Sequence, residues 1–137
     1  MKPEIQLGSV HTDARGKLKY NNDFDLSVIK RMYVLEHPST KTIRGWQGHK
    51  IEQRWFLAVS GSFVIKAVKM EVVGKRRGCD ILTFELKSEA VDVMHVPAGY
   101  ATSIQALEEG SKLVVYADYA LGEIEDEHRF ELKYFEK

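Results

Sequence analysis

The chain has 137 residues, and its 20 Lys and Arg residues balance 20 Asp and Glu residues, so the formal net charge is zero. This length fits one domain, residues 1–137, and the balanced charge argues against a nucleic-acid or anionic-membrane partner, because no general field would attract one. A single cysteine, Cys79, excludes a disulfide framework, and no apolar signal sequence opens the chain, so we expect a cytoplasmic protein.

Short apolar stretches bounded by turn residues follow one another along the sequence and predict strands. In chain order they cover residues 17–20, 29–36, 53–59, 62–70, 80–86, 91–96, 102–106 and 112–119. About eight strands without a convincing helix predict an all-β fold, because a closed barrel or two stacked sheets removes so many strand edges. For the tail, residues 124–134, a helix and an extended arm are both open alternatives.

Two stretches have the spacing of the paired motifs of a small β-barrel. They read Arg44-Gly45-Trp46-Gln47-Gly48-His49-Lys50, followed by Arg54 and Gly61, and later Pro97-Ala98-Gly99-Tyr100-Ala101-Thr102. This pattern resembles the cupins, whose metal-binding members place His, His, Glu and His at four positions of these motifs. This chain has Gln47, His49, Arg54 and Thr102 there. A single imidazole beside a guanidinium cannot hold a divalent ion tightly, so we expect no metal and no cofactor.

Further segments complete an ordered series along the chain. They are Asp13-Ala14-Arg15-Gly16-Lys17-Leu18, Ile29-Lys30-Arg31-Met32-Tyr33, Val59-Ser60-Gly61-Ser62 and Val96-Pro97-Ala98-Gly99-Tyr100. From about residue 7 to residue 131 the series resembles the cupin nucleotide-sugar isomerases. These are the dTDP-4-oxo-6-deoxyglucose 3,4-ketoisomerases, or WxcM-like proteins, and more distantly dTDP-4-dehydrorhamnose 3,5-epimerase. The resemblance implies a jelly-roll barrel that acts without metal on a nucleotide-linked 4-keto sugar. It also implies a homodimer, with strands near the N-terminus or the sheet edges paired across the interface.

The implied reaction removes a proton beside a ketone, stabilises an enediolate and returns the proton elsewhere, which requires a base with a pKa near neutrality. His49 matches the second histidine of the ketoisomerase motif and is our candidate base, with a structural histidine as the alternative. Gln47 replaces the first histidine, and a neutral amide cannot accept a proton. Tyr116 lies two residues beyond Val114, where the epimerases have their acid tyrosine, so it is a candidate phenol, with core packing as the alternative.

The candidate substrate-binding residues share planar cations, aromatic faces or hydrogen-bonding groups near these motifs. They are Arg44, Arg54, Tyr33, Arg31, Trp46, Thr102 and His95. Arginine binds phosphate oxygens in pairs. Arg54 has two interpretations, an electrophilic cation for the substrate or the partner of a buried carboxylate. Trp46 either stacks on the ligand or packs in the core or a dimer interface, and Arg44 either binds substrate or forms an ion pair at the barrel rim.

These observations predict a metal-independent isomerase of a nucleotide-linked, dTDP-type 4-keto-6-deoxy sugar, serving deoxysugar and polysaccharide biosynthesis. Two alternatives belong to other classes of function. One is a cupin that binds a sugar or sugar nucleotide without turnover, and the other is a barrel whose role is assembly. The residue that separates the first two is Gln47, because an isomerase needs another base within reach of the sugar carbon.

Overall fold

The computed structural model describes residues 1–70 and 80–135, so residues 71–79, with Cys79 among them, and residues 136–137 lie outside the described part. Twelve strands form within that part. They are β1 (Glu4–Gln6), β2 (Ser9–Asp13), β3 (Gly16–Tyr20), β4 (Arg31–Glu36), β5 (Ile43–His49), β6 (Arg54–Ser60), β7 (Ser62–Lys69), β8 (Leu82–Lys87), β9 (Val93–Val96), β10 (Tyr100–Ala106), β11 (Lys112–Ala117) and β12 (His128–Arg129).

Ten of these strands make two five-stranded antiparallel sheets. The first sheet has the order β1-β9-β6-β11-β4, and the second has the order β12-β5-β10-β7-β8. Strands β2 and β3 form a separate hairpin, and its residues are exposed throughout. The sheets stack on each other, so the predicted all-β fold is confirmed. Apart from β7 and β8, neighbouring strands in each sheet are not consecutive in the chain, as in a jelly roll.

The main core fills the space between the two sheets. Alternate residues of each strand point inward, as the period of two requires. In β6 and β11 these include Phe56 and Val115, and in β7 they include Phe63 and Ile65, all fully or almost fully buried. Gly61 makes the turn from β6 to β7 with φ of 69°, and a Cβ atom there would lie 2.0 Å from the Ser111 hydroxyl oxygen. This turn therefore requires glycine.

A second apolar cluster lies on the opposite side of the second sheet. Trp46, Val68 and Ala101 face outward there, and the chain's last described residues cover them, with Phe135 packed edge-on against Trp46 at 5.1 Å between ring centroids. The tail is thus the extended arm of the two alternatives, held in part by β12. As a result, the middle of the second sheet is buried on both faces.

All eight predicted strands are present with small shifts at their ends, while β1, β2, β5 and β12 were missed. The miss at β5 has a clear cause. Its sequence contains Gly45 and Gly48 and polar side chains, so it lacks the apolar alternation that predicts a strand. Within residues 1–70 and 80–135, no helix has the length and apolar character needed to cross a membrane.

We expect Phe135→Ala to lower the free energy of unfolding by about 3 kcal/mol, because the ring is fully buried against Trp46 and its removal leaves a cavity. Equilibrium urea unfolding followed by tryptophan fluorescence measures this. Leu7→Ala is the control, since that side chain is 74% exposed and its loss should change stability by less than about 0.5 kcal/mol. Equal effects of the two variants would contradict the packing of the arm.

Candidate functional site

An open cavity of about 490 Å³ lies at one end of the two stacked sheets. Strands β4 and β6 begin there, at Arg31 and Arg54, because both pair antiparallel with β11 and these two residues lie opposite its Ala117. Strand β5 of the second sheet ends there at His49. Residues 120–128, which follow β11 and which we call the strap, complete the wall. The cavity therefore combines residues from both sheets with a connection that has no regular structure.

His49 is buried in the wall of this cavity, and one hydrogen bond sets its tautomer. Its Nδ1 lies 2.8 Å from the backbone carbonyl oxygen of Asp126. Since a carbonyl only accepts, Nδ1 carries the proton and the neutral ring keeps its lone pair on Nε2. Burial, and next the charge of Arg54, lower the pKa of His49, while Glu52 acts in the opposite direction. The imidazole is therefore neutral at neutral pH, as a general base must be.

Arg54 sits in a buried hydrogen-bonded network beside this histidine. Its Nη2 and Nε donate to one carboxylate oxygen of Glu52 at 2.7 and 3.1 Å, and its Nη1 donates to the Tyr33 hydroxyl at 2.5 Å. An unpaired guanidinium at this depth would cost about 3–5 kcal/mol. Of the two interpretations of Arg54, the partner of a buried carboxylate is therefore present in the structure. The carboxylate is that of Glu52, which the sequence analysis did not single out.

The carboxylate of Asp126 fixes the loop between β5 and β6. It accepts hydrogen bonds from the backbone amides of Lys50, Ile51 and Glu52 at 2.8–2.9 Å. Burial by itself would raise the pKa of Asp126, but the three amide donors outweigh burial and hold that pKa below its ordinary value of 3.8. Asp126 therefore ties the strap to the loop through its side chain and orients His49 through its carbonyl group.

Arg31 is a cation of the cavity wall whose guanidinium group contacts an aromatic ring. Its guanidinium carbon lies 4.7 Å from the centre of the Tyr33 ring, a cation–π contact. Among the residues that the structure describes, no carboxylate forms an ion pair with it. Arg31 and Tyr33 lie two positions apart in β4, so they share the inward face, as the period of a strand requires. This arginine remains free to bind an anionic group at the mouth.

Gln47 shares the inward face of β5 with His49, two residues away. Its amide nitrogen donates to the carboxylate of Glu127 in the strap. This contact leaves the amide oxygen as an acceptor for another donor. Thr102 lies opposite Gln47 in the pairing of β10 with β5, whereas Arg44 is exposed beyond an irregularity in that pairing. Gln47, Thr102 and Arg44 are not among the residues that line the cavity, and Gln47 is joined to its wall through Glu127.

The structure does not bring Tyr116 or His95 to the cavity. Both lie on the outward face of the first sheet, where Tyr116 contacts the ring of Phe24 at 5.4 Å and His95 stacks on Trp55 at 5.1 Å. His95 Nε2 also lies 2.6 Å from the side-chain oxygen of Gln53. Tyr116 therefore packs against Phe24, which is the second of its two interpretations. His95 was a candidate substrate-binding residue, and the structure corrects this, because its ring points away from the cavity.

Trp46 is also directed away from the cavity. Its neighbour Gln47 faces inward, so Trp46 faces outward, where its indole nitrogen donates to the carbonyl oxygen of Leu132 at 3.0 Å. The ring is 4% exposed beneath the C-terminal arm. Of its two interpretations, Trp46 therefore packs against the C-terminal arm and does not stack on a ligand in the cavity.

The four positions that would bind a metal in a cupin have a donor set that does not suit one. Gln47 bonds to Glu127, Arg54 is itself a cation paired with Glu52, and Thr102 adds only a hydroxyl group. A divalent transition metal requires several imidazole, thiolate or carboxylate ligands at one point. Across residues 1–70 and 80–135, no three His, Cys, Asp or Glu side chains are grouped as such ligands.

A family model described as FdtA, WxcM-like, C-terminal matches residues 3–133. Solved structures with a similar fold include the QdtA 3,4-ketoisomerase of Thermoanaerobacterium thermosaccharolyticum, a double mutant in complex with TDP. Its TM-score is 0.71 at 19% identity, covering 97% of this chain and 91% of that one. A 3,4-ketoisomerase from Helicobacter canadensis has a TM-score of 0.71 at 20% identity, covering 98% and 96%.

The RmlC epimerase of Mycobacterium tuberculosis has a TM-score of 0.74 at 16% identity, covering 96% of this chain and 70% of that one. A comparison with curated protein sequences found no match. The structural matches confirm the predicted cupin-type fold. At these identities they leave the residues of the cavity to be interpreted from their own geometry.

We expect Asp126→Asn to destabilise the protein by about 1.5–3 kcal/mol, because hydrogen bonds from three amides to a charged acceptor are weakened. In the wild type this contribution is present above pH 3.8 and is lost as the pH falls through the lower pKa of the folded state. Urea unfolding at several pH values measures both effects. The exposed Glu109→Gln is the control, and equal stability of the two variants would contradict the role of Asp126.

Proposed function

Because the chain belongs to the FdtA family of WxcM-like C-terminal domains, we propose that it is a metal-independent isomerase of a nucleotide-linked 4-keto-6-deoxy sugar. The reaction is of the 3,4-ketoisomerase type. The observation that carries the proposal is the state of His49, a buried, neutral imidazole whose Nδ1 hydrogen bond leaves Nε2 as the basic atom in the wall of the cavity.

In the proposed reaction His49 Nε2 removes a proton from the carbon next to the sugar ketone. The electron pair of the broken C–H bond forms the carbon–carbon double bond of an enediolate, and the negative charge moves to the former carbonyl oxygen. The hydroxyl proton on the neighbouring carbon's oxygen passes to the former carbonyl oxygen. The imidazolium then returns its proton to the former carbonyl carbon as the carbon–carbon double bond becomes the new ketone on the neighbouring carbon. Positive charge near this oxygen, supplied by Arg54, stabilises the enediolate because the site is partly screened from water.

The nucleotide diphosphate is assigned to Arg31. This cation lies at the mouth, has no ion pair in the described part of the chain, and is oriented by the face of Tyr33. A planar guanidinium binds phosphate oxygens in pairs. The similarity to the QdtA ketoisomerase, solved as one mutant with TDP and as another with TDP-4-keto-6-deoxyglucose, supports this assignment. Arg44 is exposed and outside the cavity wall, so it contributes at most to the outer approach.

A second candidate function is sugar-nucleotide binding without turnover, and Gln47 is the observation that favours it. Proton transfer between two adjacent carbons is often shared between two groups, whereas an amide bonded to the cavity wall at Glu127 stands where the resemblance places the first histidine. With its nitrogen bonded to Glu127, Gln47 offers an acceptor for a sugar hydroxyl. In the isomerase, Gln47 orients the substrate and His49 transfers the proton at both carbons.

We also propose that the protein is a homodimer, with strands near the N-terminus or the sheet edges paired across the interface. The outward face of the first sheet supports this, because its exposed side chains include Met32, Val34 and Val59 at 63%, 53% and 51% exposure. Apolar groups clustered on one sheet face are typical of an interface. A second copy would cover this face and protect exposed strand edges.

Solvent-deuterium incorporation into dTDP-4-keto-6-deoxyglucose, followed by NMR with added chelator, tests the isomerase. We expect exchange by the wild type and a loss of roughly 100- to 10,000-fold in His49→Ala, because a positioned general base contributes that much. Nucleotide binding should be retained. Binding by the wild type without any exchange over hours would instead establish the second function. Exchange undiminished in His49→Ala would place the base elsewhere.

Gln47→His restores the pair of histidines at this position, so we expect faster deuterium exchange than in the wild type. The matched control is Gln105→His, an amide in β10 that bonds to the carbonyl oxygen of Thr40 and not to the strap. The same assay with the same sugar measures both variants. Equal acceleration by both, or slower exchange in Gln47→His alone, would contradict the orienting role of Gln47.

The exchange rate should decrease as the pH is lowered, because protonated His49 cannot accept a proton. Burial and the charge of Arg54 hold the pKa of His49 below its ordinary value of 6.5, so the decrease should occur below pH 6.5. The pH profile of kcat/KM for deuterium incorporation measures it. A profile that falls at higher pH would contradict a neutral His49 as the base.

Light scattering at micromolar concentration should give a particle of twice the 15.7 kDa chain mass. Val34→Lys places a charge on the apolar sheet face and should shift the particle towards the monomer. Leu107→Lys, which changes an exposed residue in the turn after β10, is the control and should remain a dimer. A wild-type particle of 15.7 kDa would contradict the dimer.

A further inference from the structure

Glu52 is a buried carboxylate that lies between the candidate base and a buried cation. Its side chain is 8% exposed, and one oxygen, Oε2, lies 3.3 Å from His49 Nδ1 and 2.7 Å from Arg54 Nη2. A carboxylate is rarely buried to this extent unless a partner requires it. The ion pair with Arg54 explains why this carboxylate is buried. The second contact of the same oxygen, with His49, requires a separate explanation.

We propose that Glu52 is a positioning residue for His49, balancing the positive charge that the ring acquires during proton transfer. This inference rests on the proposed isomerase, since it concerns the same base. In the resting state His49 Nδ1 donates its hydrogen bond to the Asp126 carbonyl at 2.8 Å, and the Glu52 carboxylate oxygen lies 3.3 Å from the same nitrogen. The carbonyl fixes the tautomer, and the carboxylate adds the negative charge.

Charge balance explains why the base needs this carboxylate. Arg54 lies beside His49, and without Glu52 its positive charge would oppose formation of an imidazolium ring. When Nε2 takes the proton from the sugar carbon, the ring becomes a cation with a carboxylate oxygen 3.3 Å from its Nδ1. No proton passes to Glu52 in this step, because the Nδ1 proton stays on the ring and the transferred proton returns to the sugar from Nε2. The carboxylate therefore acts through His49 without touching the substrate.

Other charged groups face His49 as well. Asp126 approaches from the strap, where its carboxylate is occupied by the three backbone amides, and its charge favours the imidazolium form. Arg54 approaches from β6 and disfavours that form. Glu52 is the carboxylate whose own oxygen lies within 3.3 Å of the ring nitrogen. Its removal should therefore have an effect that the remaining charges do not replace.

The test compares two isosteric variants by titrating the His49 ring in ¹⁵N-labelled protein by NMR. In Glu52→Gln the attraction is lost and Arg54 is unbalanced, so the pKa of His49 should fall. In Arg54→Gln the repulsion is lost and Glu52 remains, so the pKa should rise. A purely structural disturbance has no reason to move the pKa in opposite directions. Shifts in the same direction, or no shift in Glu52→Gln, would overturn the proposal.

Catalysis is then measured by deuterium incorporation in the same variants. Glu52→Gln should slow exchange roughly 10- to 100-fold, with its effect in kcat and little in KM, as expected when a buried charge that favours the imidazolium is removed. The acid limb of the pH–rate profile of Glu52→Gln should move to lower pH together with the pKa of His49. Glu36→Gln is the matched control, an exposed carboxylate at the opposite end of β4. Glu52→Asp, which keeps the charge, should recover part of the rate.

The double variant Glu52→Gln, Arg54→Gln guards against misfolding, because it removes both charges together and leaves no unpaired ion in the buried network. It should still exchange deuterium slowly, and wild-type exchange in this variant would overturn the proposal. The NMR titrations need no substrate. Opposite pKa shifts together with a wild type that exchanges no deuterium would therefore reject the isomerase and retain Glu52 as the partner of His49.

Discussion

The carboxylate of Asp126, bonded to three successive backbone amides, is the interaction on which the rest of the site depends. The loop after β5 has no strand partner for these amides, and a buried amide without an acceptor is costly. By supplying the acceptors, Asp126 fixes the positions of His49 and Glu52 relative to β6. The same residue belongs to the strap and holds it over the cavity. Asp126 therefore fixes both the cavity wall and the candidate base.

Much of the fold was predictable because it rests on local patterns. The eight predicted strands alternate apolar and polar residues or form short apolar runs, and the two spaced motifs indicated the cupin-type barrel. Gln47, Arg44 and Arg54 were predicted to lie around His49. Arg54 lines the cavity with His49, whereas Gln47 is joined to the wall through Glu127 and Arg44 lies outside it. Asp126 was not predictable, because its effect comes from a connection without periodicity. Glu52 carried one weak signal, since it lies two residues before Arg54 and can share its face.

The errors at Tyr116, His95 and Trp46 have a common physical cause. Strand β11 is apolar on both faces, with Leu113 and Val115 turned to the core and Val114 and Tyr116 turned outward. When both faces of a strand are buried or apolar, the sequence indicates that residues alternate but not which set faces the cavity. The residues that face outward are buried by the C-terminal arm or pack beside Phe24. Both contacts join segments that are distant in sequence.

The C-terminal segment connects the strap to the arm without interruption, from the wall of the cavity to Phe135 on the far side of the second sheet. Its attachment depends on a few carboxylate hydrogen bonds at one end and a small group of aromatic rings at the other. Segments held by so few contacts are the first parts of a fold to detach by local unfolding. Detachment of this segment would release the carbonyl group that fixes the imidazole while both sheets stay intact, so the geometry around His49 is less durable than the fold.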